Sequence, residues 1–162
     1  MRLRLLLLLT VCCLTACGFK LRGEEQFPFN TVYIQSHSTE SSLHNLLKQN
    51  FLSNQIQVTD NSNQAEVTLV ILSESTNKQI LSLGGSGRVN EFKIYYRVGI
   101  RAYDQQANIW LEDNEIVLHR EYSYSDSDIL AKEAEEAFLI KNMRNDMARL
   151  IMRRLSRAQP QM

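Results

Sequence analysis

Val89-Asn90-Glu91-Phe92-Lys93-Ile94-Tyr95-Tyr96-Arg97-Val98-Gly99-Ile100-Arg101-Ala102-Tyr103 is the stretch that decides the fold. Phe92, Ile94, Tyr96, Val98, Ile100 and Ala102 recur at every second position, and Glu91, Lys93, Tyr95, Arg97, Arg101 and Tyr103 stand between them. Side chains alternate sides along a strand, so this pattern marks an antiparallel strand with one dry face. The other face carries long cations and tyrosines. Either it is solvated, with its charges paired across strands, or it meets a polar partner.

Working outward, Gly84-Gly85-Ser86-Gly87 precedes the strand and has the composition of a hairpin tip. A phosphate-cradling loop would need a following Lys-Ser/Thr pair and a helix, and here a strand follows. Val67, Leu69 and Ile71 place a strand at Ala65–Leu72, which Lys78–Leu83 continues after a bend. On the other side, Asp104–Asn114 is expected to be a loop or irregular hairpin carrying Trp110, and Ile116–Tyr124 a further strand. Thr31–Gln35 reads as a first strand and Ile56–Thr59 as a short edge strand.

Two stretches have helical spacing. Leu43, Leu46, Leu47 and Phe51 predict a short amphipathic helix. A longer helix is predicted from about Ile129 to Arg157, N-capped from Asp126–Asp128. Its apolar stripe is Leu130, Ala137, Ile140, Met143, Met147, Leu150, Ile151 and Leu155. Glu133, Glu135 and Glu136 lie early in it and Arg149, Arg153, Arg154 and Arg157 late, which suits the helix dipole. The late arginines read as a solvated helix end. Strand, helix, several antiparallel strands and helix make an α+β two-layer sandwich, with two helices packed on one face of a mainly antiparallel sheet of about four strands.

The N-terminus carries a different kind of signal. Arg2 and Arg4 precede the apolar run Leu5–Leu9 and Val11–Leu14, and Leu14-Thr15-Ala16-Cys17 closes it. A positive start, a short apolar core and small residues describe a secretory signal peptide, and the run is too short to span a bilayer. The tetrapeptide is similar to a bacterial lipobox, which implies acylation of Cys17 and cleavage just before it. The expected organisation is residues 1–16 as signal, 17–30 as a lipidated tether, 31–157 as one domain and 158–162 as a flexible tail. Cys12, Cys13 and Cys17 are the only cysteines of the 162 residues, so the processed chain holds no internal disulfide. Gly18, rather than aspartate, follows Cys17, which favours the outer membrane as destination.

The sequence offers little for catalysis. His37, His44 and His119 are scattered and form no metal-ligand pair. No Gly-x-Ser-x-Gly elbow occurs, and a triad built on Ser86 and His119 has no motif behind it. Glu112 with Asp113, and Glu135 with Glu136, read as surface carboxylates. No metal or cofactor site is expected. Lys and Arg together equal Asp and Glu at 18 each, so there is no basic excess for nucleic acid.

Cys17-Gly18-Phe19-Lys20-Leu21-Arg22-Gly23, Val32-Tyr33-Ile34, Asn90-Glu91-Phe92-Lys93-Ile94-Tyr95-Tyr96-Arg97-Val98 and Leu130-Ala131-Lys132-Glu133, with Ile140, Met143, Arg144 and Leu150, together resemble the LptE, or rare lipoprotein B, family of lipopolysaccharide-assembly lipoproteins. The resemblance implies a non-enzymatic, cofactor-free lipoprotein. It would plug and help assemble the outer-membrane β-barrel LptD and bind lipopolysaccharide during its insertion into the outer leaflet. It also implies basic lipopolysaccharide-binding residues near the hairpin tip and the start of the last helix. Lys132 matches the second position. Arg88 lies only near the first, where this chain has glycines, and Lys93 is a further candidate. Tyr95, Arg97, Arg101 and Tyr103 are the expected barrel interface. An envelope module of similar fold, such as a regulator of peptidoglycan synthesis, and an envelope hydrolase are the other readings.

Overall fold

The computed structural model describes residues 26–36, 41–85 and 87–161. The chain runs β1 (Thr31–Gln35), α1 (Ser42–Ser53), β2 (Gln57–Thr59), β3 (Val67–Leu83), β4 (Val89–Asp104), β5 (Ile109–Ser123) and α2 (Ile129–Ser156), with 3₁₀ turns at Ser62–Gln64 and Asp126–Asp128. Cys17, the signal segment, His37 and Ser86 lie outside the described residues.

The sheet has five strands in the order β2-β1-β3-β4-β5. It is mixed rather than mainly antiparallel. β1 runs parallel to both β2 and β3, while β3, β4 and β5 pair antiparallel. The helix explains the difference. A strand–helix–strand unit returns the chain in its starting direction, so α1 between β1 and β2 makes them parallel. Gln55 then turns the chain at φ 62°, the left-handed region. The Ile56 N–H donates to Phe51 O and the Gln55 N–H to Leu52 O, which closes the end of α1.

Both helices cover one face, and the alternation of β4 chooses it. Ile94, Tyr96, Val98, Ile100 and Ala102 are fully buried there, with Val67, Leu69 and Ile71 of β3 beside them. Leu43, Leu47 and Phe51 of α1 and Met143, Met147, Ile151 and Leu155 of α2 close the core from above. Phe29 is also buried, within 5.4 Å of Phe27, 6.4 Å of Phe51 and 5.7 Å of Trp110 between ring centroids. The fold therefore begins ahead of β1, inside the segment expected to be tether.

Several local expectations shift. β3 is one strand of 17 residues, and irregularities at Ile71/Ser73 and Ile80/Ser82 absorb the bend. β5 starts at Ile109, inside the expected loop. The reason is Asp104, whose carboxylate accepts the Gln106 and Asn108 N–H groups, Asn108 Nδ2 and Trp110 Nε1, tightening the turn so that pairing resumes at once. Burial alone would raise that carboxyl, but the Asn108 bonds lead a set that holds it below its ordinary value. Asp128 occupies the N-cap of α2 without a side-chain cap bond, and Ser125 instead caps the preceding 3₁₀ turn. Ala158 joins the core and the Gln161 N–H donates to Ile109 O, so the expected free tail is folded back against β5.

Leu130 and Ala137 do not belong to the buried stripe of α2. Beyond Leu72 the sheet narrows to a β3–β4–β5 arm, since β1 and β2 end earlier, and α1 meets only its near end, where Ser42 shares a cavity with Ser73, Glu74, Ser75 and Thr76. At a rise of about 3.3 Å per residue β3 is about 55 Å long, and the arm is most of that length. The first half of α2 lies along this arm with no second helix beside it, leaving Leu130 84% and Phe138 62% exposed.

Candidate functional site

The arm ends in a tight turn. The Gly84 N–H donates to Arg88 O at 2.7 Å and the Gly87 N–H to Gly84 O at 2.9 Å, with Gly87 at φ +76°. A side chain at Gly87 would be strained, which is why glycine stands there. Arg88 leaves the turn pointing toward the start of α2, with its Nε 4.0 Å from Asp126 Oδ2.

Lys132 comes from the second turn of α2. Its Nζ donates to Ser123 Oγ at 3.0 Å and to Glu135 Oε2 at 2.9 Å. Lys93 of β4 pairs across the sheet with Glu121 of β5 at 2.9 Å. The hydrogen bond to Glu121 raises the pKa of Lys93, and the same bond lowers that of Glu121. Glu121 and Ser123 are two residues apart on one face, about 7 Å. Lys132 therefore reaches round the β5 edge to the same corner that Lys93 occupies. The structure brings Lys93, Lys132 and Arg88 to the tip end of the arm, each beside a carboxylate.

Tyr95, Arg97, Arg101 and Tyr103 line the sheet face away from the helices. The Arg97 guanidinium stacks 4.7 Å from the Tyr95 ring centroid, Lys93 Nζ lies 5.7 Å from the same ring, and Arg101 lies 5.9 Å from that of Tyr103. Arg101 also pairs with Asp113 at 3.6 Å. Register puts Ser75, Asn77 and Gln79 of β3 beside Arg97, Tyr95 and Lys93 on this face, and Val117, His119 and Glu121 of β5 on the other side. The result is a broad polar surface of hydroxyls, amides, tyrosines and pre-stacked cations. Cross-strand pairing is present on it, Lys93 with Glu121 and Arg101 with Asp113.

One cluster was not foreseen from sequence. Glu136 of α2 accepts Lys78 Nζ at 2.7 Å and the Tyr122 hydroxyl at 2.6 Å, and Lys78 lies 4.8 Å over the Phe92 ring. Burial acts to raise the Glu136 carboxyl, but the Lys78 and Tyr122 bonds together hold it below its usual value. This ties α2 to two strands of the arm and so fixes where Lys132 sits. Lys78 and Glu136 are 58 positions apart, so no local pattern could link them.

Of the catalytic candidates, Ser86 lies outside the described residues. His119 packs against Tyr95 at 6.2 Å on the open face, and Asp113 is taken by Arg101. Among the described residues no cluster of His, Cys, Asp or Glu is placed to hold a metal ion, and no helix is long and apolar enough to cross a membrane.

Residues 29–155 match the family described as LptE, Lipopolysaccharide-assembly. The chain belongs to the LptE family. Two curated relatives are named LPS-assembly lipoprotein LptE. That of Photorhabdus laumondii is 25% identical, the match covering 94% of this chain and 84% of the relative. That of Yersinia pestis is 27% identical over 94% and 74%. Among solved structures, the lipoprotein B of Nitrosomonas europaea superposes with a TM-score of 0.75 at 35% identity, over 86% of this chain and 90% of that one. The rare lipoprotein B of Shewanella oneidensis, at a TM-score of 0.69 and 24% identity over 76% and 92%, shares the fold. The resemblance drawn from the sequence is thus borne out across the folded region. The LptE family serves lipopolysaccharide assembly and is not an enzyme family, in agreement with the reading that the chain is not an enzyme.

Proposed function

We propose that this chain is an outer-membrane lipoprotein that plugs the β-barrel LptD, helps it assemble, and binds lipopolysaccharide during insertion into the outer leaflet. The observation that carries the proposal is the LptE-family match over residues 29–155. In this reading Cys17 bears the lipid anchor and the domain stands within the barrel lumen.

The geometry supports a role for the open face and one for the tip. A barrel lumen is polar, so its plug needs a polar outer surface, and interface cores favour tyrosine and arginine. Tyr95, Arg97, Arg101 and Tyr103 offer both on one rigid sheet face, with their cations already held over rings. Lys132, Arg88 and Lys93 at the tip are the proposed contacts for lipid phosphates, which accept charge-assisted bonds from such groups. Each is shared with a carboxylate, so a phosphate must compete for it. Binding should therefore be salt-dependent.

Affinity purification of the tagged full-length chain from detergent-solubilised membranes tests the partner. Recovery of a large barrel in fixed proportion is the expected result, and its absence would refute the plug reading. Charge reversal at Lys132 and Arg88 together tests the lipid contacts. Each lost charge-assisted bond weakens lipopolysaccharide binding by roughly tenfold or more. Unchanged binding in a normally folded double variant removes the two residues from the site.

A further inference from the structure

At the end of the molecule opposite the tip, α2 finishes beside the start of β5. Arg153, Arg154 and Arg157 line a cavity of about 740 Å³ there, with Trp110, Leu111 and Leu150 as its apolar wall. Residues 158–161 complete the lining of this open cavity, held in place by the bond from the Gln161 N–H to Ile109 O. No acidic side chain lines this cavity. The contrast with the tip is direct. The cations proposed there each have a carboxylate partner, whereas Arg153, Arg154 and Arg157 take part in no ion pair among the described residues. Among the described residues, only Arg154 has a polar side-chain partner, the neutral Asn114 amide, at 2.6 Å.

The cavity also lies where the chain enters the fold. Trp110 in its wall packs 5.7 Å from Phe29, and Phe29 packs on Phe27. Cys17 is ten residues before Phe27, so any path of that segment keeps the anchor within about 35 Å of this end. Lys132 and Arg154 are on the same helix, about 33 Å apart at 1.5 Å per residue. The two cationic groups therefore lie toward opposite ends of α2.

We infer that the Arg153–Arg154–Arg157 cavity is a binding site for the phosphate of a membrane phospholipid headgroup, in the leaflet that holds the chain's own lipid anchor. The inference rests on the proposed anchoring at Cys17 for its location, and on the cavity for its chemistry. Guanidinium groups suit phosphate oxygens, and a tryptophan beside an apolar wall suits the boundary between headgroup and acyl chain. The carbonyl end of α2 opposes an anion, but it amounts to roughly half a charge against three guanidinium groups. With this site against the leaflet before the domain enters the barrel lumen, the long axis stands away from the bilayer. The tip and the open sheet face are then free to meet a partner.

Trp110 is the chain's single tryptophan and so reports on the site directly. The full-length chain is titrated with a short-chain phosphatidylglycerol, kept monomeric, and with inorganic phosphate, while Trp110 emission is followed. The expected result is a saturable change with the phospholipid and a much weaker one with phosphate alone. Replacing Arg153, Arg154 and Arg157 by Gln should weaken phospholipid binding about a hundredfold, taking roughly fivefold per basic residue. The corresponding Lys variant, checked for the same thermal unfolding, should keep most of it. Lys132→Glu with Arg88→Glu should leave it unchanged. No saturable change, equal response to inorganic phosphate, or equal binding by the Gln variant overturns the inference. The mass of the chain isolated from membranes reads acylation at Cys17 separately, so a failed anchor and a failed cavity give different results. In vesicles of phosphatidylethanolamine with phosphatidylglycerol, a headgroup spin label should quench Trp110 in the native chain and less in the Gln variant. Equal quenching in the two also overturns it.

Discussion

Phe29→Ala tests whether the chain's folded body begins ahead of β1. Phe29 is 2% exposed and its ring meets three others, Phe27, Phe51 and Trp110. Truncating a buried phenylalanine costs about 3–5 kcal/mol through lost transfer energy and the cavity left behind. Three ring contacts, which add to plain burial, place this site near about 4 kcal/mol. A domain of this size loses about 3–5 °C of Tm per kcal/mol, so the melting temperature should fall by about 12–20 °C. Thermal unfolding followed by circular dichroism gives the shift, and Trp110 emission should move to the red because the Phe29 ring beside it is gone. Leu130→Ala is the matched control. At 84% exposure Leu130 has little burial to lose, so its effect should stay within about 0.5 kcal/mol. If the two variants melt alike, or if Phe29→Ala costs less than about 4 °C, Phe29 is not seated in the core. The segment before β1 is then a tether after all.

Glu136→Gln should destabilise the domain by about 1–2 kcal/mol at neutral pH, a figure reduced from that of a buried charged bond because Lys78 is 41% exposed. The folded-state pKa of Glu136 is lowered, so its stabilisation is fully present above the unfolded value of about 4.3 and is lost as pH falls through the folded value. Equilibrium unfolding near pH 3 should therefore find native and Gln chains much closer, and a difference that persists undiminished contradicts the assignment. Gln55→Gly should raise stability by about 0.5–1 kcal/mol, since glycine takes the φ 62° position of the α1 terminus without strain. Denaturant titration reads that directly, and a loss of stability would count against the left-handed turn. Tyr95→Ala combined with Arg97→Glu should reduce barrel recovery while leaving the melting temperature within a few degrees. A full yield of barrel would move the interface off the open face.

The alternation from Phe92 to Ala102 was enough to choose the buried face of β4, and the Leu43, Leu47, Phe51 spacing was enough for α1. Both depend on periodicity, which is a local property. What the periodicity of α2 could not show is how far its apolar stripe is covered. Leu130 and Met143 belong to one pattern, yet only Met143 lies where α1 and the wide part of the sheet meet it. Coverage depends on where β1 and β2 end, and that is a property of the sheet rather than of the helix. The parallel pairing of β1 was hidden for a related reason, since composition marks a strand but not its direction. At Asp104 the missed signal was present. An aspartate followed by Gln106 and Asn108 can organise a turn by accepting their N–H groups, and the strand resumes five residues later.

Charge was legible as a list of residues but not as pairs. Lys93 and Arg153 look alike in the sequence, each a cation in an amphipathic element. The β4–β5 register sets Glu121 opposite Lys93, whereas among the described residues no carboxylate pairs with Arg153. That difference decides what each can do. A cation already bonded to a carboxylate offers an incoming phosphate an exchange, so its contribution is small and falls with salt. A cluster of arginines with no counter-charge repels itself, and an arriving anion relieves that repulsion as well as adding its own bonds. The base of the molecule therefore has more to gain per phosphate than the tip. Salt should separate them: lipopolysaccharide binding that depends on Lys132 and Arg88 should fade at lower ionic strength than phospholipid binding at Arg153, Arg154 and Arg157. If both fade together, the carboxylates at the tip are not competing, and the contrast between the two ends has no energetic meaning.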